Sequence, residues 1–113
     1  MSTIFTKIIN KDIPAEIVYE NENFLAFNDI APQAPIHILI IPKKEIPSVN
    51  DMQEDELEIF GELFLIAKKL AKQLDIHKEG YRLVMNCNDY GGQTVNHIHL
   101  HLIGGRKMNW PPG

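Results

Sequence analysis

Apolar residues recur at two different periods along this chain, and the switches between them mark out its elements. Ile4, Phe5, Ile8 and Ile9 follow a helical spacing behind Thr3, which predicts a short amphipathic helix over 3–10 that Pro14 would end. Residues 16–20 and 24–28 are β-prone, and Asn21-Glu22-Asn23 between them reads as a hairpin turn. Pro32 and Pro35 then mark a loop. Residues 36–41 are apolar on both faces apart from His37, as expected for a strand buried inside a sheet and stopped by Pro42.

The longest helical pattern runs through Leu57, Phe60, Leu63, Phe64, Ala67, Leu70, Ala71 and Leu74, with Glu54, Glu58, Glu62, Lys68, Lys69 and Lys72 between them. Acidic residues gather at its start and lysines towards its end, the distribution a helix dipole favours. Asp51 and Glu54 are spaced as a capping pair. Ile59 and Ile66 form a second apolar stripe that could face the core or a second subunit. After Gly80, residues 81–86 read as a strand, 87–93 as a loop around Gly91-Gly92, and 95–103 as the last strand, ended by Gly104-Gly105. The order predicts one α+β domain over 1–113: an antiparallel sheet of about five strands, one long helix and a short N-terminal helix.

Composition narrows the function. A chain of 113 residues, 44% of them hydrophobic, can bury one modest core, so dimerisation would be a natural further source of stability. A net charge of -4 argues against binding a nucleic-acid polymer, which needs clustered Lys and Arg. The longest apolar run, Ile38 to Ile41, is far shorter than the roughly 18 to 20 residues of a membrane span. Lys7, Lys11 and Asp12 interrupt the N-terminal stretch and leave no signal-peptide core. Cys87 has no partner cysteine, which fits a reducing cytoplasm.

His97, His99 and His101 alternate with Ile98, Leu100 and Leu102. On a strand, alternate side chains share a face, so three imidazoles would line up while the aliphatic residues enter the core. Solvated or structural histidines, and a zinc site, compete with a catalytic reading. Zinc suits the residue type, but no Cys pair accompanies it, and His37 and His77 sit without ligand-like spacing. Phosphoryl chemistry uses a neutral imidazole as nucleophile and protonated neighbours to stabilise charge. Gly91-Gly92-Gln93-Thr94 before the histidines could supply backbone and side-chain donors to an anionic oxygen.

The stretch Gly91 to Arg106, with its His-x-His-x-His core, Gly-Gly-Gln lead-in and Gly-Gly-Arg exit, resembles the signature of the histidine triad (HIT) family, specifically its nucleotide-binding Hint branch. The likeness extends to Asn28 through His37, to Ile41-Pro42-Lys43-Lys44 and to Trp110-Pro111-Pro112-Gly113. The resemblance implies a homodimeric purine nucleoside phosphoramidase of AMP type, working without a cofactor or metal. By that match His99 would be the nucleophile, and His101 would contact phosphate and assist the departing amine. His97 and His37 would complete the cluster, and Asp29 would bind the ribose hydroxyls. Asn86, Gly92, Gln93 and Thr94, with Val95 beside them, would surround the phosphate. Ile4, Phe5, Ile8, Phe27, Ile30 and Leu39 would line the base pocket, although Ile8 and Leu39 equally suit a core. Trp110 would lie on the leaving-group side, brought to the site across a dimer interface. Asn96 and Thr94 depart from the family pattern, which more often has an aromatic residue and Ser there. A dinucleoside polyphosphate hydrolase and a non-catalytic nucleotide-binding regulator are the alternatives.

Overall fold

The computed structural model describes residues 3–113. Its first helix, α1 (Ile4–Ile9), is capped by Thr3, whose hydroxyl accepts from the Phe5 and Thr6 N–H groups. Its end is set by the backbone and not by Pro14. Asp12 N–H reaches Lys7 O at 2.8 Å and Lys11 N–H reaches Ile8 O at 3.1 Å, a Schellman ending that places Lys11 at φ 64.

Strands β1 (Ile17–Glu20), β2 (Phe24–Asn28), β3 (Ile36–Pro42), β4 (Tyr81–Val84) and β5 (Leu100–Gly104) form one sheet in the order β1-β2-β3-β5-β4, every neighbour antiparallel. β3 lies in the middle, and after Ile36 it is buried throughout, in accord with its unbroken apolar run. Alternation divides the core in two. Ala26, Ile38, Ile40, Leu100 and Leu102 face helix α2 (Leu57–Gln73), and Leu25, Phe27, Leu39 and Ile41 meet Phe5 and Ile8 of α1 on the other side.

Two short 3-10 turns, Val49–Asp51 and Glu54–Glu56, precede α2. The capping pair is displaced from the expected one: Gln53 N–H donates to Glu56 Oε1 at 2.9 Å, while Asp51 accepts from the Ser48 hydroxyl. The buried stripe of α2 is Leu63, Ile66, Ala67, Leu70 and Ala71, with Ile59 packed beside it. The expected stripe is thus rotated, so that Ile66 enters the core and Leu57, Phe64 and Leu65 are left exposed. A second Schellman ending closes α2, with Ile76 N–H on Ala71 O and Asp75 at φ 58. Among the described residues no helix is long and apolar enough to cross a membrane.

Three boundaries differ near the histidines. β4 stops at Val84, the predicted loop over 87–93 contains a short helix α3 (Asn88–Gly91), and β5 starts only at Leu100. Residues 95–99 do not pair with β3. Instead Ile98 N–H donates to Ile46 O at 2.8 Å, carrying the segment onto the loop after β3.

Candidate active site

Only His101 of the three alternating histidines lies on a strand, so their grouping does not come from the ladder. Alternation still holds: Ile98, Leu100 and Leu102 are buried in the α2-side core. His97 is fully enclosed and is fixed through Nε2 to Pro42 O at 2.7 Å. Since a carbonyl oxygen only accepts, Nε2 carries the proton. His99 Nδ1 likewise donates to His97 O at 2.7 Å. A neutral His99 with its proton on Nδ1 has a lone pair on Nε2, and no hydrogen bond from the described residues occupies that atom.

His37 reaches the cluster from β3 and extends this pattern. Gln33 N–H donates to His37 Nδ1 at 3.0 Å, so the His37 proton is on Nε2, which lies 2.9 Å from His101 Nδ1. His101 Nδ1 therefore accepts, and the proton of a neutral His101 sits on Nε2, a buried atom with no partner among the described residues. Two hydrogen-bond chains thus leave one imidazole with a free lone pair and its neighbour with a free N–H. The ring centroids of His99 and His101 are 4.9 Å apart.

Phe5 braces the site edge-on, 5.0 Å from His99 and 5.5 Å from Phe27 by ring centroids. A cavity of ≈ 360 Å³ opens there. It brings together Ile4, Phe5, Ile8, Phe27, Asp29, Ile30, Leu39, Thr94, Val95, His99 and His101, all singled out in the sequence. Ile8 and Leu39 are core and wall at once. Ile13, Pro14, Ala15 and Asn28 also line it. Their signal was weak, because nothing about an isolated Ile-Pro-Ala links it to histidines over eighty residues away. Asp29 Oδ1 accepts from Ala31 N–H at 2.8 Å, and Oδ2 stands 3.5 Å from His37 Nε2.

Several expected phosphate contacts lie elsewhere. Gln93 spends its side chain bracing the loop: its amide donates to Pro47 O and Val95 O and accepts from Asn88 N–H. The N–H groups of Gly92 and Gln93 turn back to Asp89 O and Asn88 O, and Gly92 adopts φ 84 to close α3. Both are thereby committed to the turn in this structure. Asn86 and Trp110 line a second cavity beside the first. Trp110 is 81% exposed, and its tail lies against the chain's own sheet, with Arg82 donating to Asn109 O at 2.9 Å. Asp29, His37 and His101 each offer one ligand atom within 4.8 Å of the others, so His37 has the metal-compatible neighbours that its sequence position did not suggest.

Burial is the first cause that lowers the proton affinity of His37, His97, His99 and His101. His101 is pushed down from 6.5 to about 4, with charge on His99 and His37 acting in the same direction. The free site is therefore neutral at pH 7, in contrast to the charged neighbour expected from the sequence. The folded state resists protons that the unfolded chain takes up below the ordinary histidine value, so stability is full above pH 6.5 and falls as pH drops towards 4. Each such group costs about 1.4 kcal/mol per pH unit where only the unfolded chain binds the proton. The urea midpoint should accordingly fall between pH 7 and pH 5, before ordinary carboxylates titrate. A flat midpoint over that range would show that the histidines titrate as freely in the folded state as in the unfolded one.

A model of the HIT domain matches residues 10–108. A purine nucleoside phosphoramidase of Escherichia coli K12 is 52% identical over 106 residues, which are 94% of this chain and 89% of that protein. Among solved structures, a HIT family hydrolase from Legionella pneumophila Philadelphia 1 superposes with a TM-score of 0.97 at 54% identity, covering 99% of this chain and 100% of the other. A histidine triad protein from Clostridium difficile gives 0.93 at 41% identity, covering 96% and 95%.

Proposed function

The chain belongs to the HIT domain family, and from that premise we propose that it is a purine nucleoside phosphoramidase, cleaving the P–N bond of an adenosine or guanosine 5'-phosphoramidate through a nucleotidyl-histidine intermediate. The observation that carries this reading is the tautomer pair at the head of the apolar cavity. His99 offers a lone pair on Nε2 and His101 an N–H on Nε2, side by side.

In the reaction, His99 Nε2 bonds to phosphorus as the bond from phosphorus to the amine breaks. The imidazole becomes cationic, and the carbonyl of His97 at Nδ1 stabilises that charge. The amine leaves only with a proton, delivered through His101 Nε2. The bound anionic phosphoryl group opposes the burial that keeps the free site neutral, so protonation accompanies substrate binding. Water then cleaves the histidine–phosphorus bond and releases the nucleoside monophosphate. His97 and His37 position the other two rings. Phe5, Phe27, Ile4, Ile8, Ile30, Leu39 and Val95 receive the base, the Asp29 carboxylate takes the ribose hydroxyls, and Thr94 reaches towards the phosphate. Asn86, Gly92 and Gln93 act on the phosphate indirectly, by shaping the neighbouring loop.

The working form is a homodimer. Support comes from exposed Leu57, Phe64 and Leu65 on α2 and from β4, which ends the sheet with an unpaired edge. A lone Cys87 fits a cytoplasmic setting. In a dimer the Trp110 tail, which lies by its own site in the single chain, is also near enough to β4 to touch a subunit paired there.

Adenosine 5'-phosphoramidate should be hydrolysed to AMP with EDTA present, because the mechanism uses imidazoles where other hydrolases use a metal. Acid-sensitive label from [α-32P] substrate should remain on the quenched protein. Loss of activity in EDTA with recovery on adding zinc would overturn the mechanism. Turnover of diadenosine polyphosphates but not of the amidate would favour the polyphosphate hydrolase, and binding of AMP without turnover of either would favour a regulator.

A further inference from the structure

His101 belongs to two cavities. One is the apolar cavity described above; the other, ≈ 660 Å³, lies on its far side under the C-terminal tail. The strand register explains how they join. Val84, His101 and Leu39 form one row across β4, β5 and β3, and Arg82, Ile103 and His37 form the next. Cross-strand partners share a face, so Arg82 projects on the same side of the sheet as the histidines, one pleat repeat along, roughly 7 Å. α1 covers that face at one end, the tail covers it at the other, and the histidines sit between.

The second cavity differs chemically from the first. Its lining includes Arg82 and Arg106 and no Asp or Glu side chain, in a chain whose net charge is -4. Among the described residues neither guanidinium makes a salt bridge. Among the described residues Arg82 donates only to Asn109 O, which leaves the remainder of its five donors without a partner there. Arg106 donates to Gln33 O at 3.2 and 3.0 Å and to Lys107 O, which fixes it next to the residue whose N–H holds His37 Nδ1. Two cations that face no Asp or Glu side chain within this cavity, anchored by neutral carbonyls and adjoining a proton-donating histidine, form a receptor for an anion; Arg106 shares a cavity with Asp75 and Glu79 only on its other side.

We propose that this cavity receives the departing amine and that Arg82, supported by Arg106, selects amines bearing a carboxylate. The inference rests on the phosphoramidase reading and adds the class of leaving group to it. In an in-line displacement the leaving nitrogen stands opposite the attacking one, so an amine displaced by His99 moves away from that ring and past His101, which borders this cavity. The P–N bond breaks, its electron pair stays on nitrogen, the amine takes its proton from His101, and the carboxylate remains ionised throughout, held by guanidinium N–H groups.

Two adenosine 5'-phosphoramidates test this with the full chain: one of β-alanine and one of β-alaninamide, of nearly the same shape but different charge. kcat/KM should be about tenfold higher for the carboxylate, in line with charge-assisted hydrogen bonds weakened by partial exposure. The protein's overall negative charge would push the other way, so a preference of this sign is local. Arg82→Gln should bring the ratio of the two close to one, and Arg82→Lys should restore part of it. Equal rates for both substrates in the unmodified protein would overturn the inference and leave the phosphoramidase reading standing, as would a ratio that Arg82→Gln does not move. Cleavage of neither substrate would remove the phosphoramidase reading and this inference with it.

Discussion

His99→Ala should lower the turnover of adenosine 5'-phosphoramidate by at least about a thousandfold while AMP still binds, because the substitution removes the bond-forming atom and little of the ground-state contact. The apolar walls from Phe5, Phe27 and Leu39 and the Asp29 carboxylate all remain. His97 keeps its own anchor on Pro42 O, and the His37–His101 chain does not pass through His99. Loss of the ring leaves a gap beside Phe5, sized to the missing imidazole. Added imidazole can enter that gap, so a concentration-dependent recovery of rate would separate a missing nucleophile from a collapsed site. Calorimetry with AMP supplies the binding half of the test. A variant that kept most of its rate would move the nucleophile to another residue, and a variant that lost binding and rate together would assign His99 a structural role.

The resemblance to the histidine triad family names most of this site's residues, and two kinds of pattern in the sequence bear on it independently. One is alternation: the aliphatic residues between the histidines had to face a core, and they do. The other is local spacing, which puts Ile4, Phe5, Ile8 and Ile9 on one face of a helix, of which Phe5 and Ile8 are buried and Ile4 is exposed, and Leu39 in a strand inside the sheet. What the sequence does not show depends on backbone hydrogen bonds. The carbonyl that fixes the His99 tautomer belongs to His97, and the group that fixes the His37 tautomer is the Gln33 N–H. Neither is a side-chain identity, so no residue pattern announces it. Gln93 has the residue type of a phosphate donor, yet its amide is drawn off by the carbonyls of Val95 in its own loop and of Pro47. Periodicity marked the extent of α2 well and its inward face poorly, since Leu57, Phe64 and Leu65 are as apolar as the residues that are buried.

Leu100→Ala should be the opposite kind of variant, costing about 2 to 5 kcal/mol of stability while leaving the chemistry of any folded molecule in place. Leu100 stands between His99 and His101 in the chain, but its side chain points the other way. It is 1% exposed and belongs to the core under α2, with Leu63, Ile66, Ala67 and Leu70, whereas the cavity holding the two histidines lies across the sheet. Its backbone keeps its place, because Leu100 pairs with Ile40 in the ladder whatever its side chain. Deleting three side-chain carbons there leaves a void that neighbours on a sheet and a long helix cannot close fully, which places the cost above that of lost transfer energy alone. The midpoint of thermal unfolding should fall by on the order of 10 °C. Measured well below that midpoint, kcat for the phosphoramidate should stay within a few-fold of the parent. If instead kcat collapsed in a protein shown to be folded, the sheet would be transmitting core packing into the imidazole geometry. The division of labour between alternate residues would then be wrong.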